Sequence, residues 1–136
     1  MLDNNEINKL MAVEVDKINL LMLEHFYGGK WVFEDEEEPE AVPYLEWDTG
    51  IFYPKLYDKF GRFSFGTPSP TTDMNQAMEC WEKEFGDYDT SIQNTGFGWY
   101  VFINYKCGEL VGMAHDPSAP LAICKAILKA KGIEIE

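Results

Sequence analysis

The feature that most constrains the fold is an apolar run at residues 99–105, which reads Trp-Tyr-Val-Phe-Ile-Asn-Tyr. Aromatic and β-branched residues of this kind are typical of strands, in which successive side chains point to opposite faces. One face of the predicted strand carries Val101 and Ile103, and the other carries Tyr100 and Phe102. Because both faces are apolar, the strand is expected to lie in a sheet that is covered on both sides.

The helices that cover such a sheet are predicted from three stretches with helical periodicity. The first spans residues 4–26 and can break near Asp16. The second spans residues 73–86 and can start with Asp73 as N-cap, with Gln76 three residues later, where a capping box places Glu or Gln. Thr72 is the other candidate for this cap. The third begins after a cap at Ser118 and ends at a glycine.

The strand at residues 99–105 has a predicted partner. After a tight turn, residues 110–114 return beside it as an antiparallel hairpin, and His115-Asp116-Pro117 is expected to end the strand. The chain has 136 residues, which favours one domain with a core of its own. No apolar stretch is long enough for a membrane span. The sequence thus predicts a single α/β (α+β) domain with a small, mainly antiparallel sheet.

The charge of the chain limits the classes of partner. Eleven Lys and Arg residues stand against 24 Asp and Glu residues, which gives a formal net charge of −13. A negative field repels phosphate backbones and anionic membranes, so direct binding to nucleic acid or to a membrane is disfavoured. Two interpretations stay open. The charge either keeps a small protein soluble, or it complements a basic partner in the manner of a nucleic-acid mimic.

Carboxylates are densest at residues 34–40, which hold six of them, Glu36, Glu37 and Glu38 included. Because like charges repel and a proline interrupts the run, this segment is predicted to be a solvated loop. A cation site is the alternative. The run lacks the spaced ligands and the glycine turn that divalent-ion sites use, so the loop is the favoured interpretation.

Aromatic residues are concentrated at residues 43–66, where short strands and turns are predicted. Their rings either pack in the core or, where exposed, form an interaction surface, because Tyr and Trp are preferred anchors at interfaces. The candidate partner-binding residues are therefore Glu36, Glu37, Glu38, Trp47, Tyr53 and Tyr57.

No catalytic constellation, cofactor site or metal site is predicted. His115 and Cys124 are close in sequence, but Cys124 lies on an apolar helical stripe, where a free cysteine behaves as a small hydrophobe. The three cysteines and two histidines lack the spacing of zinc ligands. Residues 96–98, Gly-Phe-Gly, precede a strand rather than a helix, which is the wrong context for a phosphate-binding loop. Helix N-termini suit phosphates, so Thr72 and Ser118 are the candidates if the ligand is a nucleotide.

The C-terminal half has a layout that resembles a known family. Residues 69–73, Ser-Pro-Thr-Thr-Asp, open a helix that bears Trp81. Residues 114–130 read Ala-His-Asp-Pro-Ser-Ala-Pro-Leu-Ala-Ile-Cys-Lys-Ala-Ile-Leu-Lys-Ala. Both phrases resemble the phage α/β/α-sandwich domain family, which includes small phage and prophage proteins such as NinX. The resemblance covers residues 60–131 and leaves residues 1–59 outside it.

This resemblance implies a three-layer α/β/α sandwich from a bacteriophage or prophage, but it brings no transferable activity. We therefore expect a non-enzymatic accessory protein, monomeric or homodimeric, that binds and modulates a host protein in the host cytoplasm. An inhibitor of a nucleic-acid-binding defence system, as in an anti-CRISPR role, is its most specific form. A nucleotide-binding protein and an acidic immunity protein that neutralises a toxin are the alternatives.

Overall fold

Residues 14–32, 44–48, 50–52, 68–106, 108–133 and 135 are described by the computed structural model of the chain. The chain divides into two compact units, Met1–Pro68 and Ser69–Glu136. Each unit combines helix with antiparallel sheet, which confirms the mixed α+β class. The antiparallel pairing is divided between two three-stranded sheets within the described residues. The single-domain organisation stays a prediction.

The first unit contains one described helix and one small sheet. Its elements are α1 (Glu14–Phe26), β1 (Lys30–Val32), β2 (Tyr44–Trp47) and β3 (Gly50–Phe52). The strands pair antiparallel in the order β1-β2-β3, with Trp31 opposite Leu45 and Glu46 opposite Ile51. The predicted helix at residues 4–26 is confirmed from residue 14 onward, and residues 4–13 lie outside the described part. The helix does not break at Asp16, which is buried within it.

A half-buried carboxyl group lies near the end of α1. Burial raises the pKa of Glu24, and the nearby indole N–H of Trp31 offsets part of that rise. The Oε2 of Glu24 and the Nε1 of Trp31 are buried atoms that complete no hydrogen bond among the described residues. The folded protein therefore favours the protonated form of Glu24 more than the unfolded chain does.

We expect Glu24→Gln to stabilise the protein at neutral pH. Because the pKa of Glu24 is raised on folding, its unfavourable contribution is absent below the unfolded pKa and grows as pH rises through the folded pKa. Denaturant unfolding should give equal stabilities for variant and wild type near pH 4, and a more stable variant at pH 7. Glu46→Gln, at an exposed position of β2, is the control. Equal stabilities of Glu24→Gln and wild type at both pH values would contradict the prediction.

The second unit contains two helices and three longer strands. Its elements are α2 (Met74–Phe85), β4 (Asp89–Asn94), β5 (Trp99–Asn104), β6 (Leu110–Asp116) and α3 (Ala119–Ala130). The strands pair antiparallel in the order β4-β5-β6, so the predicted hairpin is confirmed. The strand was expected to break at His115, and this expectation is wrong. His115 and Asp116 continue the ladder opposite Tyr100 and Trp99, and the strand ends before Pro117.

The core of the second unit lies between this sheet and α3. The buried positions of α3 take up most of its surface: Leu121, Ala122, Ile123, Cys124, Ala126, Ile127 and Leu128. The facing strand contributes Val101 and Ile103, which are fully buried as the alternation predicts. The indole N–H of Trp81 in α2 donates to the hydroxyl of Thr90 at 2.8 Å. Tyr100 and Phe102, on the opposite face of β5, are half-buried.

Glycine ends α3 as predicted. Gly132 has a φ of +86°, and its N–H donates to the carbonyl of Lys129 at 3.0 Å. The next N–H, that of Ile133, reaches back to Leu128 at 2.9 Å. These two bonds form a Schellman motif, which satisfies carbonyls that a helix end otherwise leaves unpaired.

Candidate interaction surface

The turn that leads into α2 is held by its own side chains. The carboxylate of Asp73 accepts from the N–H of Gln76 at 3.2 Å, so the predicted N-cap is confirmed. The other half of the predicted capping box is not made, because the side chain of Gln76 accepts from the N–H of Ser69 instead. Thr72 is exposed, and its hydroxyl lies 2.7 Å from that of Ser69.

The turn that leads into α3 is held by Asp116. One of its carboxylate oxygens accepts from the N–H of Ser118 at 2.9 Å, and the other accepts from the ammonium of Lys125 at 2.9 Å. Ser118 occupies the predicted N-cap position, but its own side chain makes no capping hydrogen bond. The side chains of Asp116 and Lys125 are 14% and 15% exposed, so water screens this ion pair only partly.

These two turns bear on the nucleotide alternative. A phosphate at Thr72 would meet the carboxylate of Asp73, and a phosphate at Ser118 would meet that of Asp116. Each carboxylate already lies where the partial positive charge of a helix N-terminus stabilises an anion. The arrangement therefore counts against an anionic ligand at either residue.

We expect Asp116→Asn to lower the free energy of unfolding by about 1 kcal/mol, because it removes the charge that Lys125 and the N–H of Ser118 share. Thermal denaturation at low and high salt would measure it. Asp87→Asn changes an exposed carboxylate of the same unit and serves as the control. Two variants of equal stability would show that the ion pair has no net effect.

His115 and Cys124 do not form a nucleophilic pair. Cys124 is fully buried in α3, and burial raises the pKa of its thiol well above the ordinary value. Gly112 of β6 faces α3. Because successive side chains of a strand point to opposite faces, His115, three residues later, points to the face of the sheet away from α3. Among the described residues, no group of His, Cys, Asp and Glu side chains is arranged to hold a metal ion.

The predicted partner-binding residues fall mainly outside the described ranges. This is the case for Glu36, Glu37, Glu38, Tyr53 and Tyr57. The remaining one, Trp47, is only 7% exposed, and its ring lies over Gly50, where an added Cβ would come within 3.0 Å of it. This burial favours packing, the other interpretation of the aromatic stretch, for Trp47.

The most exposed of the large apolar side chains in the described residues is Phe97, at 86%. It lies in the turn at residues 95–98, between β4 and β5, which we call the hairpin tip. Gly96 and Gly98 have φ values of +83° and +130°, which L side chains rarely adopt. The two glycines thus allow the chain to reverse while the ring between them points into solvent.

Two side chains outside the hairpin tip fix its backbone. Asn94 accepts from the N–H of Gly96 at 3.1 Å. The Nε2 of His115 lies 3.1 Å from the carbonyl of Phe97 and donates to it in the tautomer that carries a proton on that nitrogen. The His115 ring also stacks on Tyr100, with centroids 4.3 Å apart. Hydrogen bonds from side chains therefore fix the backbone of the hairpin tip at Gly96 and at Phe97.

The stretch of sequence that contains the hairpin tip differs in charge from the rest of the chain. No Asp, Glu, Lys or Arg occurs from residue 90 to residue 105. Exposed carboxylates precede this run, at Glu79 and Glu82 on α2, at Asp87 in the turn after it and at Asp89. Asp89 begins β4 opposite Asn104, at the end of the strand away from the hairpin tip. The charged residues beside the hairpin tip are Asp116, which lies opposite Trp99, and Lys125, which pairs with it. An exposed aromatic residue in an uncharged run is typical of the centre of a protein interface.

A scan against family models decides the classification. The model for the phage ABA sandwich domain matches residues 40–128. The chain belongs to the phage ABA sandwich domain family. The resemblance inferred from the turn at residues 69–73 and from residues 114–130 is thereby confirmed. The phage ABA sandwich match starts earlier than the expected residue 60, so it also takes in the aromatic stretch at residues 43–66.

A solved structure supports the phage ABA sandwich fold. The crystal structure of a phage protein from Bacillus cereus ATCC 14579 is similar to this chain, with a TM-score of 0.55 and 23% sequence identity. The similarity covers 93% of this chain and 94% of that one. Among curated proteins, no significant match was found. Within the described residues, no helix combines the length and apolar character that crossing a membrane requires.

The exposed hairpin tip of this phage ABA sandwich domain was not identified from sequence. Residues 96–98 were considered only as a phosphate-binding loop and set aside. A signal was present nonetheless. An aromatic residue between two glycines, in an uncharged run of an acidic chain, indicates a turn that exposes its ring.

Proposed function

We propose that this member of the phage ABA sandwich domain family is a non-enzymatic accessory protein that binds and modulates a host protein with a basic surface in the host cytoplasm. The observation that supports this most directly is the formal net charge of −13. In the most specific form of this proposal, the protein inhibits a nucleic-acid-binding defence protein by placing carboxylates at the positions where that protein binds phosphates.

The physical argument concerns the sign and placement of the charge. A basic groove built for nucleic acid attracts a negative field, which raises the rate of encounter and selects against other partners. Four exposed carboxylates of the second unit, Glu79, Glu82, Asp87 and Asp89, lie within one short segment of the described chain. The carboxylate of Asp73, which is exposed at the N-terminus of α2, favours a cationic partner over a phosphate for the same reason.

The test is capture of host proteins by the tagged full chain. The lysate comes from Bacillus cereus, the source of the similar solved structure. At about 0.05 M salt we expect one stoichiometric partner with a basic surface, and at about 0.5 M salt, where the Debye length falls below about 5 Å, we expect most of it to be released. Recovery of no protein at low salt would contradict the proposal, and equal recovery at both salts would contradict the electrostatic part of it.

A further inference from the structure

The exposed ring of Phe97 has no role in the core, since it is 86% exposed. A single exposed apolar residue is common on protein surfaces and by itself indicates nothing. Two features distinguish Phe97. Its backbone is held by His115 and Asn94, and it lies within a run, residues 90–105, that has no charged residue in a chain of net charge −13.

We propose that Phe97 is the apolar anchor of the interface, and that its ring inserts into an apolar pocket bordered by basic residues on the partner protein. This inference rests on the proposed function and adds the surface through which it acts. The uncharged hairpin tip forms the centre of the contact.

A membrane, a second copy of the chain or another protein could each bind the exposed ring of Phe97, and the charge of the chain favours one of the three. An anionic membrane surface would repel a protein of net charge −13, although its interior would accept the ring. A second copy would bring the same negative charge again. A basic protein is attracted by the charge and desolvates the ring, so it is the occupant that both properties favour.

The bonds at the hairpin tip favour tight binding in a second way. Binding normally loses free energy when a loop and its side chains become ordered, and a preorganised loop avoids most of this loss. The N–H of Gly96 and the carbonyl of Phe97 are already fixed by Asn94 and His115. His115 is thus a positioning residue, which acts on the partner through the backbone of Phe97.

The experiment compares variants of the full chain at two exposed positions of one sheet. Phe97→Ala removes the anchor, and Phe97→Leu restores an apolar side chain at the same place. Leu110→Ala is the matched control, because Leu110 is 53% exposed and lies opposite Asn104, at the far end of β5 from the hairpin tip. All three changes are at exposed side chains, so each variant should fold as the wild type does.

The probe is the partner that the wild-type chain captures, purified and titrated by calorimetry at about 0.1 M salt. We expect Phe97→Ala to weaken binding about 30-fold or more, as truncation of a central anchor does, and Phe97→Leu to recover most of the loss. Leu110→Ala should stay within about threefold of wild type, as most contacts outside an interface centre do.

The outcomes separate this inference from the function on which it rests. If wild type captures no protein, the proposed function fails and the inference fails with it. If Phe97→Ala binds the captured protein as wild type does, the inference is overturned and the function stands. Vesicles of phosphatidylcholine and phosphatidylglycerol, and sedimentation of the protein alone, test the other occupants. A vesicle association or a dimer that Phe97→Ala abolishes would also overturn the inference.

Discussion

Replacing Gly112 by valine is expected to destabilise the protein by about 3 kcal/mol, since overpacking of a close contact is among the larger effects of single substitutions. Gly112 lies in β6 where the strand meets α3. A Cβ at this position would come within 2.6 Å of the carbonyl oxygen of Ala126 and within 2.8 Å of the amide nitrogen of Ala130. Both are backbone atoms of a helix, so neither can move aside as a flexible side chain would.

The strand and the helix would therefore have to separate along their whole contact. Such a separation exposes apolar surface on both elements and opens voids elsewhere in the core. Denaturant unfolding measures the loss as a lower midpoint with an unchanged slope. Met113→Val changes the next residue, whose side chain is 41% exposed on the opposite face, and should change stability by less than about 1 kcal/mol. A wild-type midpoint for Gly112→Val would show that β6 and α3 lie further apart.

Truncation of Leu128 to alanine is the second change with a large expected effect, about 2–5 kcal/mol. The side chain of Leu128 is 0% exposed, and it belongs to the buried stripe of α3. Its loss removes apolar contacts and leaves a cavity, which neighbouring side chains fill only in part because protein interiors are close-packed. The helix itself is not weakened, because alanine has the higher helix propensity.

Thermal and denaturant unfolding of Leu128→Ala, compared with Leu110→Ala, would measure this effect. The two variants lose the same atoms, but Leu110 is 53% exposed. Its truncation should therefore lower the free energy of unfolding by no more than about 1 kcal/mol. If both variants lost the same stability, α3 would not be the central helix of its unit.

The parts of the fold that the sequence predicted are those with local signals. The second and third helices were predicted from a cap at Asp73, a cap position at Ser118 and apolar steps of three and four, and the structure has them as α2 and α3. The hairpin of β5 and β6 followed from alternation around Val101 and Ile103. Such signals depend on residues close in the chain, so they can be recognised before the tertiary contacts are known.

The parts that were missed depend on residues far apart in the chain. For Trp47, core packing and an interaction surface both stayed open, because the exposure of a side chain is set by tertiary contacts that its neighbours in sequence do not reveal. The extension of β6 to Asp116 depends on pairing with Trp99 on another strand. The hairpin tip depends on His115, which lies 18 residues from Phe97, so its stiffness could not be read from the turn alone.

The exposed ring of Phe97 takes no part in the hydrogen bonds that hold the backbone of the hairpin tip. His115 binds the carbonyl of residue 97 and Asn94 binds the N–H of residue 96, so neither bond involves the phenyl ring. The residue at position 97 can therefore be exchanged without altering the shape of the turn. If Phe97 is the anchor that we propose, a substitution at this single codon would change the pocket that the protein fits, while the backbone bonds that hold the turn stay as they are.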